Sequence, residues 1–85
     1  MPEISRFFGI VIKMFFDDHS PPHFHAAYAG SKAEIDIRTM AVIHGDLPAR
    51  ALGLVIEWAR VHQQELLDDW ELGASRRPLR KIPPL

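Results

Sequence analysis

The chain predicts an α+β fold: an antiparallel meander sheet of three to four strands with one long C-terminal helix packed on one face. Three observations carry that prediction. Residues 7–16 place apolar side chains at every even position; residues 23–29 and 32–38 alternate about a Gly-Ser pair; residues 48–72 repeat apolar side chains at helical spacing. With 85 residues, 47% hydrophobic and 25% charged, the composition is that of one small globular domain. We read residues 1–75 as a single α+β domain and 76–85 as a basic, Pro-containing tail.

The first element is a strand over residues 7–16. Phe8, Ile10, Ile12, Met14 and Phe16 share one face, and Gly9 and Lys13 lie on the other, so the even face points to the core. Residues 17–22 form a loop, because Ser20-Pro21-Pro22 cannot continue a central strand. The next two strands form a hairpin about Gly30-Ser31, a Gly-x loop of type II′ character. That turn predicts Phe24 opposite Ile37, Ala26 opposite Ile35 and Tyr28 opposite Ala33 on the apolar face. On the polar face it predicts His23 opposite Arg38, His25 opposite Asp36 and Ala27 opposite Glu34. A slip by one residue would destroy both alternations.

Residues 39–44 predict a further short strand. Asp46 is placed to cap a helix running from about Pro48 to Leu72 and stopping at Gly73. Its main stripe holds Leu52, Val55, Ile56, Ala59, Leu66, Leu67 and Trp70. Leu54, Trp58 and Val61 fall off that stripe. Either the sheet and tail cover this flank, or it is a partner or homodimer surface, where tryptophan is enriched.

Formal net charge is −1, but its distribution is uneven. Residues 1–73 carry six basic and eleven acidic side chains; the tail adds Arg76, Arg77, Arg80 and Lys81 with no acid. Such a tail meets an anionic surface or the acidic body of its own domain. The absence of cysteine excludes disulfides, thiolate metal sites and thiol nucleophiles. No apolar run approaches the roughly 20 residues that span a bilayer, and residues 1–16 lack the pattern of a signal peptide. The expectation is a cytoplasmic protein without a membrane partner. Gly-rich phosphate loops, G-x-S-x-G, H-E-x-x-H and helix-turn-helix patterns are all missing, which disfavours nucleoside-triphosphate enzymes, serine hydrolases and the common DNA-binding modules.

The chemistry concentrates in Asp17-Asp18-His19-Ser20-Pro21-Pro22-His23-Phe24-His25, which holds three of the five histidines. Imidazole titrates near neutrality and serves as acid, base or metal ligand. His23 and His25, at i and i+2 on a strand, project to one face. One reading is a site for a divalent metal such as zinc, with His23 and His25 as ligands and Asp36 or His19 as the third. Another is metal-independent acid–base cleavage of a phosphodiester by His19, His23 and His25, with Arg38, and Arg6 or Lys13, stabilising the developing charge. Taken singly, each histidine also has a purely structural reading. His44, ending a strand, and His62, at the edge of the helix stripe, are read that way.

The residues Ile4-Ser5-Arg6-Phe7-Phe8-Gly9-Ile10, the block Asp18–His25, Leu47-Pro48-Ala49-Arg50-Ala51-Leu52 and Glu57-Trp58-Ala59 together resemble the small bacterial domain-of-unknown-function family 4160. The resemblance closes with Pro78-Leu79-Arg80-Lys81-Ile82, and its specific part is D-H-x-P-P-H-F-H. It implies a toxin-like component of a toxin–antitoxin module, acting on RNA or translation and neutralised by a cognate small antitoxin-like protein. It assigns no catalytic residues. The chemistry it leaves open is that of a small ribonuclease-like enzyme or a metal-dependent hydrolase. A non-catalytic module binding through Leu54, Trp58 and Val61 is the rival.

Overall fold

In the computed structural model, which describes residues 2–85, five antiparallel strands form one sheet and two helices follow. The strands are β1 (Glu3–Phe7), β2 (Ile10–Lys13), β3 (His23–Tyr28), β4 (Ser31–Asp36) and β5 (Val42–Gly45), each hydrogen-bonded to the next in chain order. The helices are α1 (Ala49–Val61) and α2 (Gln63–Ala74). The α+β class and the meander order agree with the sequence reading; the strand count and the single helix do not.

The expected strand over residues 7–16 is interrupted. Phe8 and Gly9 both adopt positive φ, +49° and +79°, the signature of a two-residue I′ turn, and the chain doubles back there. Phe8 therefore leaves the core and is 67% exposed, and Phe16, beyond the end of β2, is 42% exposed. The central even positions Ile10, Ile12 and Met14 are fully buried as expected.

The second hairpin turns one residue earlier than expected. Ala29 and Gly30 take φ of +47° and +86°, again an I′ turn rather than the II′ turn at Gly30-Ser31. Moving a turn by one residue moves the cross-strand pairing by two, so the faces are preserved while every partner changes. Phe24 is opposite Ile35, Ala26 opposite Ala33, His23 opposite Asp36 and His25 opposite Glu34. At the end of β5, Gly45 has φ +74°, and a Cβ there would sit 2.2 Å from the Lys32 carbonyl oxygen, so only glycine fits.

The predicted helix is divided at His62, whose φ of −109° and ψ of 23° leave the helical region. Asp46 does not cap α1. Its Oδ1 accepts the N–H of Leu47, and Pro48 holds the cap position. Among the described residues no helix is long and apolar enough to cross a membrane.

One core joins sheet and helices: Ile4, Ile10, Ile12, Phe24, Ile35 and Ile37 from the first half meet Val55, Trp58, Ala59 and Leu66. Trp58, expected at a flank, is fully buried, packed 5.3 Å from Phe7 and edge-on to Phe24, with its indole N–H donating to the Pro83 carbonyl. The tail provides that cover. Ile82 is buried and donates its N–H to the Ile4 carbonyl, the Arg80 N–H binds Asp69 Oδ1, and Lys81 Nζ donates to the Glu3 carbonyl. Arg76 pairs with Asp17 at 2.6 Å, so the basic tail meets the acidic body. Of the proposed partner-binding trio, Trp58 is core, Leu54 is half-buried beside Phe8 and Tyr28, and Val61 is 70% exposed. The three do not make one surface.

Candidate metal centre

β3 begins directly after Ser20-Pro21-Pro22, and strand alternation sends His23 and His25 to the face opposite the buried Phe24 and Ala26. The preceding loop then carries Asp18 back over them. Asp18 Oδ2 lies 3.1 Å from His23 Nε2 and 3.1 Å from His25 Nε2. Glu34, reached from β4, places Oε1 3.5 Å from His23 Nε2.

The tautomer of His23 follows from its other nitrogen. Nδ1 is 2.8 Å from the Pro21 carbonyl oxygen, which can only accept, so Nδ1 carries a proton. In the neutral ring the Nε2 lone pair then faces two carboxylates. That contact is repulsive unless a proton or a metal cation lies between them. The His23 side chain is 5% exposed, so water does little to relieve it.

The walls are aromatic. Trp70 of α2 lies against the His23 ring with centroids 5.3 Å apart, and Phe15 meets the His25 ring edge-on at 4.5 Å. Burial of Asp18 raises its pKa. The His25 hydrogen bond, the His19 backbone N–H and the charges of His23 and His25 outweigh that burial and hold it below the ordinary value of 3.8.

Asp18, His23 and His25 thus form a group that could hold a metal ion, their donor atoms all within 4.8 Å of one another. Tetrahedral zinc with bonds of about 2.0–2.1 Å separates its ligand atoms by about 3.4 Å, close to the 3.1 Å seen at Asp18. The bond from His23 Nδ1–H to a backbone carbonyl is the outer-sphere support that metal-bound histidines carry.

The proposed set is only partly assembled. Asp36 lies opposite His23 in the ladder, but its Oδ1 accepts the N–H groups of Arg38 and Thr39, closing the turn after β4. Asp18 takes the place expected for it. His19 is exposed and contributes only its backbone N–H; Arg38 is exposed on the Asp36 turn; Arg6 is bound to Glu3 through two nitrogens. His44 stands opposite Glu34 on β5, and His62 bonds Glu65. Sequence reasoning missed Asp18 as a ligand, although it lies in the same motif block, and missed Glu34 because the turn was placed one residue late. Trp70, assigned to the core stripe, does pack against the core and also walls the site.

A family model described as "Domain of unknown function (DUF4160)" matches residues 9–71 of the chain. The match spans β2 to α2 and includes the Asp18–His25 block; β1 and the tail lie outside it. No curated protein and no solved structure matches the chain.

Proposed function

The chain belongs to the family described as domain of unknown function 4160, and from that premise we propose that it is a divalent-metal-binding domain with hydrolytic chemistry, zinc being the ion its donors suit. The observation that carries the reading is the single carboxylate oxygen of Asp18 shared at 3.1 Å by two imidazole nitrogens, one of them with its tautomer set by Pro21. Asp18, His23 and His25 supply three ligands, the number that leaves a fourth position for water in catalytic zinc sites. Glu34, partly exposed with its Oε1 3.5 Å from His23 Nε2, would be the base for a water held there.

The resemblance-based reading, a toxin-like component of a toxin–antitoxin module acting on RNA or translation, is compatible with this centre. In its favour, Lys13, His25 and Glu34 stand part-exposed in one row on the sheet face opposite the core, while His23 is buried behind them against Trp70.

The test is zinc and cobalt(II) titration of the purified chain. The expected result is one ion per chain, with cobalt d–d absorption of a four-coordinate site, lost in His25→Ala. Flat titrations with both ions overturn the reading. Growth arrest on induction, relieved by Asp18→Ala with the fold retained, is the result expected of the toxin reading; growth unaffected by the wild-type chain overturns it.

A further inference from the structure

We propose that the depression beside His25 is a phosphate-binding subsite of the metal centre, with Lys13 and Lys32 as its cations; the proposal rests on the metal reading above. The strand register builds it. Lys13, His25, Glu34 and His44 form one cross-strand row over β2, β3, β4 and β5, and Val11, Ala27 and Lys32 form the adjacent row on the same face. Ala27 ends at its Cβ where its neighbours carry longer side chains. The gap is a depression of about 200 Å³ lined by Val11, Lys13, Phe15, His25, Ala27 and Lys32. Pockets for drug-sized ligands begin near 300 Å³, so this one takes a single group of a larger substrate.

β2 and β4 flank β3 at about 4.8 Å on either side, which lets both flexible lysine stems reach an anion seated over Ala27. Among the described residues neither Lys13 nor Lys32 forms an ion pair. Arg6, by contrast, is held by Glu3, and Arg76 by Asp17. Phosphate is the oxyanion that such ammonium groups bind through charge-assisted hydrogen bonds, with a metal taking a further oxygen.

Counting charges makes the subsite conditional. Asp18 and Glu34 balance Lys13 and Lys32, and the neighbouring Glu3–Arg6 pair cancels itself, so the metal-free face holds no net attraction for an anion. A divalent ion adds two positive charges at His25, on the edge of the depression. Phosphate binding therefore follows metal binding.

The experiment uses the full chain with and without stoichiometric zinc, and two probes, methylphosphonate for a monoester group and dimethyl phosphate for a diester, followed by phosphorus NMR. Saturable binding of at least one probe is expected in the zinc form only. The Lys13→Gln/Lys32→Gln double variant weakens it about tenfold or more while zinc affinity stays within about twofold. If the double variant does not fold, the exposed Lys32→Gln alone is expected to weaken binding at least about threefold. Zinc uptake without binding of either probe, or binding unchanged in the lysine variants, overturns this proposal and leaves the metal reading standing. Failure to take up zinc overturns both.

Discussion

The indole of Trp70 lies against the imidazole of His23 with ring centroids 5.3 Å apart and planes inclined by 50°. A helix residue thereby reports on a sheet site. Zinc addition is expected to change the indole emission, and Trp70→Phe is expected to remove most of that change while retaining one zinc per chain. An undiminished response in the variant would place the ion elsewhere.

Ligand substitutions should separate cleanly from neighbours. Asp18→Ala, His23→Ala and His25→Ala are each expected to lower zinc affinity by more than the roughly 10–100-fold typical of an outer-sphere change. His19→Ala, Asp36→Ala and Arg38→Ala are expected to leave it within about twofold, since none of those side chains points a donor at the cluster. Calorimetric titration of the six variants decides it. Asp36→Ala should instead loosen the turn after β4.

Two carboxylates predict opposite pH dependence. Asp18 is held below 3.8, so its contribution to stability is present above that value and is lost as pH falls through the lower folded-state pKa. Asp69 is 1% exposed, and burial raises its pKa against the lowering effect of the Arg80 backbone N–H. A raised carboxylate destabilises the fold increasingly as pH rises from 3.8 through its folded pKa. Asp69 Oδ2 has no hydrogen-bond partner in the structure, consistent with that cost. Asp69→Asn keeps an acceptor for Arg80 and removes the charge, so it should gain on the wild type as pH rises from 3 to 7 in urea unfolding. A difference constant across that range would sink the assignment.

Trp58 tests core against interface. Trp58→Ala is expected to cost about 3–5 kcal/mol, enough to unfold much of so small a domain, and Trp58→Phe about 1 kcal/mol from the lost bond to Pro83. Val61→Ala should stay within about 0.5 kcal/mol. Chemical denaturation measures all three.

These outcomes also mark how far residue patterns reached. Ile10, Ile12 and Met14, and Phe24, Ala26, Ala33, Ile35 and Ile37, were assigned inward from alternation alone, and all are buried. Alternation could not locate the turns, because Phe8-Gly9 lies inside an apolar run and Ala29-Gly30 competes with Gly30-Ser31 at equal loop length. Nor could helical periodicity foresee Trp58 in the core. The tail that covers it is irregular chain, and the contact from Trp58 to Pro83 spans 25 residues.

By itself the sequence determined which face each residue of β3 and β4 occupies, and so that His23 and His25 share the one opposite Phe24 and Ala26. Side-chain direction in a strand repeats every two residues and survives an even register shift. Only the tertiary structure decided which acids join them. The register follows from the turn actually adopted, and Asp18 arrives through a loop folded back over the strand, where its place depends on contacts with His23, His25 and the wall of Phe15 and Trp70 rather than on any local preference.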